Sequence, residues 1–193
     1  MTAQNKHLIF VLVCSVALVQ LSAQKITFPG TRSEIKSPDG HYMIKNTDDE
    51  TRELSHSLSV IDTKNNEVTK IYQYGRSVDI LWSPNSDAFI VNDHEGSNMS
   101  HPVLFTKPWT VHPLDLFEKL LPSLSNQEST KHIQNNIHVY FDAERWLGHD
   151  AILCRLYGHG DGDPNGFTKY FIYKLNEGFK AVSPPDGRRV SRK

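Results

Sequence analysis

Ser37-Pro38-Asp39-Gly40-His41-Tyr42-Met43-Ile44-Lys45-Asn46 and Ser83-Pro84-Asn85-Ser86-Asp87-Ala88-Phe89-Ile90-Val91-Asn92 decide how this chain is read. The two stretches stand at an offset of 46 residues, and their Ser, Pro, Ile and Asn positions coincide. Asp39 corresponds to Asn85, and Met43 to Phe89. In each, Pro presets φ for a first turn corner, and Asp or Asn bonds locally to the backbone. Apolar residues on both sides (Val78, Ile80 and Trp82 before the second corner, Phe89 and Ile90 after it) predict a β-hairpin. A fainter third copy is Trp146-Leu147-Gly148-His149-Asp150-Ala151-Ile152-Leu153, whose Asp-Ala pair echoes Asp87-Ala88.

A second kind of hairpin accompanies two of the three copies. Leu58 to Asp62 leads through Thr63-Lys64-Asn65-Asn66-Glu67 into Val68 to Tyr72, and Lys169 to Lys174 leads through Leu175-Asn176-Glu177-Gly178 into Phe179 to Val182. Two hairpins per unit predict four-stranded antiparallel sheets of about 45 residues each, the size of one propeller blade. The expected fold class is therefore mainly β. Trp82, Trp109 and Trp146 are expected as wedges in or between the sheets.

Ser37-Pro38-Asp39-Gly40 with its following apolar strand, and then Val60-Ile61-Asp62 leading to Asn66-Glu67-Val68, resemble the TolB-type (WD-like) β-propeller repeat. The resemblance covers residues 32–106 well and 137–182 loosely, about three units. It implies a partial propeller whose loops bind other proteins and which needs no cofactor. Three units are too few for a ring of four to eight blades. They form an open stack, or two chains complete one ring as a homodimer, or the chain is a remnant of something longer.

The second unit lacks a clear outer hairpin. Residues 110–133 replace it, with one amphipathic helix expected near 113–121: Pro113 near its first turn, Asp115 and Glu118 early, Pro122 at its end. Leu114, Phe117 and Leu121 share one face, with Leu116 and Leu120 beside it. The helix is expected to cover a bare sheet edge, or else to bind a partner. Ser123 to Thr130 is polar and predicts a loop.

The N-terminus carries an address. Lys6 precedes the apolar run Leu8 to Leu21, and Ser22-Ala23 supply small residues for cleavage, the order of a secretory signal peptide. As a helix the run spans about 21 Å, short of the ~30 Å hydrocarbon core, so a stable membrane span is not expected after cleavage. The expected organisation is a signal peptide at 1–23, one β-rich repeat domain at 24–182 and a basic, frayed tail at 183–193, in a secreted or periplasmic protein. Cys14 leaves with the signal, and Cys154, in the apolar run Ala151 to Cys154, is expected as a buried strand thiol. A single remaining cysteine forms no internal disulfide.

The 193 residues carry 21 Lys and Arg against 22 Asp and Glu, a formal charge of −1. That balance argues against a nucleic-acid binder or a polybasic membrane-surface protein. No Gly-x-Ser-x-Gly elbow, HExxH pair or phosphate loop occurs. Asp161, Asp163 and Asn165, followed by Gly166, copy the opening of a calcium loop. Ile172 at the twelfth position and Lys169 at the ninth oppose it, so a Gly-rich turn is favoured over a calcium site. Asp93, His94, Glu95 and His101 share the loop region 92–102 and could collect a transition metal if tightly folded. Trp109 beside Pro108 is a candidate for stacking on carbohydrate.

Three functions are compatible with these residues. The first is an exported non-enzymatic scaffold with a protein partner. The second is an exported hydrolase or lyase using Asp93, Glu95, Asp161 and Asp163. The third is a ligand-binding accessory subunit of an envelope complex.

Overall fold

The two Ser-Pro corners fold with the same hydrogen bonds. Ser37 N–H donates to the Tyr42 carbonyl at 2.8 Å, and Tyr42 N–H returns to Ser37 Oγ at 3.0 Å. Ser83 N–H donates to the Ala88 carbonyl at 2.8 Å, and Ala88 N–H returns to Ser83 Oγ at 3.0 Å. Each serine hydroxyl then donates to the side chain two residues on, Asp39 at 2.6 Å and Asn85 at 2.8 Å. The fourth residue of each corner has positive φ, 73° at Gly40 and 62° at Ser86. The third corner is one residue shorter: Leu147 N–H bonds the Ala151 carbonyl across Gly148, at φ 78°.

The computed structural model describes residues 25–49, 51, 55–109, 112–124 and 127–185. Residues 1–23, expected as a signal peptide and including Cys14, and the tail from 186 onward lie outside the described residues. The fold is mainly β. Its strands in chain order are β1 Ile26–Phe28, β2 Glu34–Lys36, β3 Tyr42–Asp48, β4 His56–Asp62, β5 Val68–Tyr74, β6 Val78–Trp82, β7 Ala88–Asp93, β8 Met99–Thr106, β9 Leu114–Asp115, β10 His138–Trp146, β11 Ala151–Gly160, β12 Asp163–Lys174 and β13 Gly178–Val182. Strands β2 to β5 make a four-stranded antiparallel sheet. The other nine form a larger mixed sheet, ordered β1-β6-β7-β8-β10-β11-β12-β13 with β9 on β8.

The larger sheet folds into two layers. Strands β8 and β10 are joined by a short parallel pairing, Met99 with Val139 and Ser100 with Tyr140, and by the Ser100 hydroxyl donating to Asp142 at 2.6 Å. Beyond that seam, Leu81, Ile90 and Leu104 of the middle layer (β1 and β6–β9) share a core with Phe141, Ile152, Cys154 and Phe171 of the third layer (β10–β13). The opposite face of the middle layer, with Ile80, Trp82, Phe89, Val91 and Phe105, packs on Ile44, Leu58, Val60 and Tyr74 of the first layer (β2–β5). The middle layer is thus covered on both sides, which is why β6 and β7 are buried at every position. Their near-continuous apolar runs follow from that double burial. Each fully buried Leu, Ile or Phe stabilises the stack by about 1.5–3 kcal/mol. A bulge at Glu144 lets Phe141, Ala143 and Trp146 all face inward.

The interruption contains the expected helix in shortened form. Leu114 and Asp115 first pair with Leu104 and Val103 on the bare edge of β8. Helix α1 then runs Leu116–Leu120, and a 3-10 turn follows at Leu121–Ser123. Asp115 is its N-cap, accepting from Phe117 N–H at 2.7 Å and Glu118 N–H at 3.0 Å. Leu116 and Leu120 are the residues it buries, whereas Leu114 and Leu121 are exposed. The polar stretch expected as loop holds a second helix, α2, at Gln127–Gln134. Thr130 and its neighbours are helical because Ile133 packs against the third layer and His132 is fastened there, contacts made far along the chain.

Candidate functional site

Three regions bring chemically capable side chains together. The first is the β11–β12 hairpin, where the calcium-like residues fall. Gly160 pairs with Asp163, so the connection is the two-residue turn Asp161-Gly162. Asp161 and Asn165 are exposed. The Asp163 carboxylate accepts from His132 Nδ1 at 2.6 Å and from Asn136 Nδ2 at 2.7 Å. The His132 bond holds its pKa below the ordinary carboxylate value. Asp163 therefore fastens α2 to the hairpin.

The alternating glycines serve the same junction. A Cβ at Gly158 would overlap the His138 carbonyl, at Gly160 it would stand 2.8 Å from Asn136 Oδ1, and at Gly162 2.6 Å from Asn135 Cβ. Close approach of residues 135–138 thus accounts for glycine at 158, 160 and 162. Among the described residues no group of three His, Cys, Asp or Glu could hold a metal ion.

The second region lies at the loop end of the seam between the first and middle layers. Asp93 pairs across strands with Val78 and His101, and it faces the first layer. Tyr72 OH donates to Asp93 Oδ2 at 2.8 Å, while Oδ1 is buried without a partner. Burial pushes the Asp93 carboxyl above the usual value, although the Tyr72 bond and His101 oppose it. Burial also raises the Tyr72 phenol, aided by the Asp93, Glu95 and Asp115 charges. His101 Nε2 stands 3.9 Å from Glu95 and 3.7 Å from Asp115.

His94 turns to the other side of the strand. Its Nε2 meets Asp79 Oδ2 at 2.9 Å, where Lys25 Nζ also lies at 2.6 Å and Thr27 Oγ1 donates to Oδ1 at 2.6 Å. Burial would raise Asp79, but His94, Lys25 and Thr27 outweigh it and bring the carboxyl to about 2. The bond to Asp79 raises His94. This group fastens β1 to β6. The four acids weighed for catalysis consequently fall in separate places: Asp93 and Glu95 on the middle layer, Asp161 and Asp163 on the third.

The third region is a cleft of about 400 Å³ at the corner end of the same seam. Tyr42, at the start of β3, meets Trp109 edge-on at 5.2 Å, and Trp109 meets Trp82 at 5.6 Å. Lys107 Nζ lies 4.7 Å from the Tyr42 ring centroid and 5.9 Å from that of Trp109. It also pairs with Asp87 at 3.0 Å. Asp62, Glu67 and Thr69, from the β4–β5 hairpin, also line it. Sequence reasoning found Trp109 alone. Its neighbours come from four separate strand ends, and only the recurrence of the corners hinted that those ends would meet.

No protein-family model matches the chain, and no curated protein matches it significantly.

Proposed function

We propose that this chain is an exported, non-enzymatic interaction module assembled from blade-like sheets of the TolB propeller kind. The observation that carries this is the corner-end cleft, an opening between two stacked layers with aromatic and charged walls. Its volume is in the range of small-ligand and side-chain pockets, about 300–1,000 Å³. The matching hydrogen bonds of the Ser37 and Ser83 corners support the blade reading, and the Lys6 to Ala23 pattern supports export. By contrast, the acids weighed for catalysis do not converge: Asp163 is held by His132, Asp93 by Tyr72 through one oxygen, and Glu95 and Asp161 are exposed.

The enzyme reading keeps one favouring observation, the buried and partly unpaired Asp93 carboxyl beside His101. One comparison separates the two. Protein recovered from the exported fraction on the immobilised chain should be lost with a Tyr42→Ala/Trp109→Ala double variant and kept with Asp93→Asn. Hydrolase or lyase turnover that Asp93→Asn abolishes, with no partner retained, would replace the scaffold reading.

Ring completion by a second copy finds little support on the first layer. Its outward face carries exposed Glu34, Lys36, Lys45 and Lys70, with Met43, Ile61 and Val68 in the row beside Lys36. A homodimer would more readily use the third layer's outward face, where Tyr140, Tyr157 and Ile172 are half-buried.

A further inference from the structure

The aromatic groups of this protein differ in what their faces do. On the outward side of the third layer His138 stacks on His159 at 4.4 Å and Tyr140 on Tyr157 at 5.1 Å, so those rings spend their faces on each other. At the corner-end cleft an ammonium lies over the rings instead. Lys107 Nζ is within cation–π reach of both Tyr42 and Trp109, about 6 Å or less. Its charge is answered by Asp87. Two more acids line the cleft, Glu67 and Asp62, the latter with Oδ1 accepting from Lys64 N–H at 2.8 Å. Of the charged side chains lining the opening, two are therefore acids and one is Lys107, already neutralised locally.

We propose that this cleft receives a lysine side chain of a partner protein, whose ammonium takes the place Lys107 occupies over Tyr42 and Trp109. This rests on the interaction-module reading. The chemistry that recognises such a group is present in the lining: ring faces for the cation, carboxylates to neutralise it, and the exposed Pro108 surface for its methylene stem. Lys107, tethered to Asp87, is the cation that already sits by the two rings. A partner lysine must displace it, so the resident ammonium sets a threshold for binding and favours partners that add contacts elsewhere. An uncharged sugar ring could lie on Trp109 but would leave Asp62 and Glu67 without a counter-charge.

The test uses the short peptide acetyl-Gly-Lys-Gly-amide and its norleucine counterpart, followed through the Trp109 indole N–H resonance. Lys107→Ala, or Lys107→Ser should the alanine variant not fold, vacates the cage. Either should bind the lysine peptide at least about tenfold more tightly than the parent chain does. The norleucine peptide should give no shift, and Tyr42→Ala in the Lys107→Ala background should abolish binding while Tyr42→Phe restores it. Equal affinity for the lysine and norleucine peptides, or a response to a glucose oligomer in their place, would overturn the proposal. A native partner held equally by the parent and by Tyr42→Ala would also overturn it, leaving the interaction-module reading intact. Loss of both the lysine response and any partner would remove the two together.

Discussion

Asp39 donates its backbone N–H to the hydroxyl of Ser86 at 3.1 Å, so the turn that opens the first layer is bonded to the turn that opens the middle one. The two corners also share the same internal serine bonds. Ser86 is fully buried and holds φ at 62°, a region that costs a residue with a side chain and not glycine. Ser86→Ala should cost about 1–2 kcal/mol, because Asp39 N–H loses its acceptor and the strain stays. Ser86→Gly should cost less, since relief of φ offsets the lost bond. Urea denaturation of the two variants measures the difference, and an alanine variant at least as stable as the glycine one contradicts it.

Asn92 joins the middle layer to the third. Its Nδ2 donates to the Ala143 carbonyl at 2.8 Å, and its Oδ1 accepts from Ala143 N–H at 2.8 Å. Asn92→Ala should destabilise by about 2–4 kcal/mol, since it strands two buried backbone groups. Asn92→Asp should be no better, because a carboxylate oxygen would then oppose the Ala143 carbonyl. Thermal unfolding checks both, and an unaffected midpoint for either would count against this bridge.

Asp93 should make stability fall as pH rises. Its folded pKa lies above the ordinary value of about 4, so the folded state holds a proton that the unfolded state releases. The cost of ionising it is absent below about pH 4 and grows as pH climbs through the raised value. Asp93→Asn, which does not titrate, should gain on the parent chain between pH 4 and pH 8 in urea unfolding. Tyr72, His94, Glu95 and His101 also surround it, so the comparison is between variants at each pH rather than along one curve. A difference that stays flat with pH, or shrinks, contradicts the assignment.

The Cys154 thiol, buried in β11, should resist labelling. Removal from water is the main reason its pKa is pushed up, with Glu144 and Asp142 adding to it, so little thiolate exists at neutral pH. Iodoacetamide followed by peptide mapping should find Cys154 unmodified in the native protein and alkylated in denaturant. Rapid native alkylation at this position would show that the third layer opens.

What the sequence disclosed was local chemistry. The Ser-Pro-Asp and Ser-Pro-Asn corners were legible because their bonds run between residues at most five apart. The strands of the middle layer were legible because burial on both faces leaves uninterrupted apolar runs such as Ala88 to Val91. Helix α2 was hidden, since Gln127 to Gln134 is polar and its position depends on His132 meeting Asp163. That crossing was not legible either from the spacing of Asp161, Asp163 and Asn165: Gly158, Gly160 and Gly162 face the segment 135–138, which the chain order does not place there. The identical residues Asn46 and Asn92 also part company in space. Asn46 accepts from Tyr74 OH inside its own layer at 2.7 Å, while Asn92 reaches the next layer.

A layer sealed on both sides has no surface left with which to vary. Val78 to Trp82 and Ala88 to Asp93 answer to two neighbours at once, so a change there must be matched twice. Divergence among descendants of this chain should therefore accumulate on the outward faces of the first and third layers and around the rim of the cleft. The centre would remain as an inherited record of the fold.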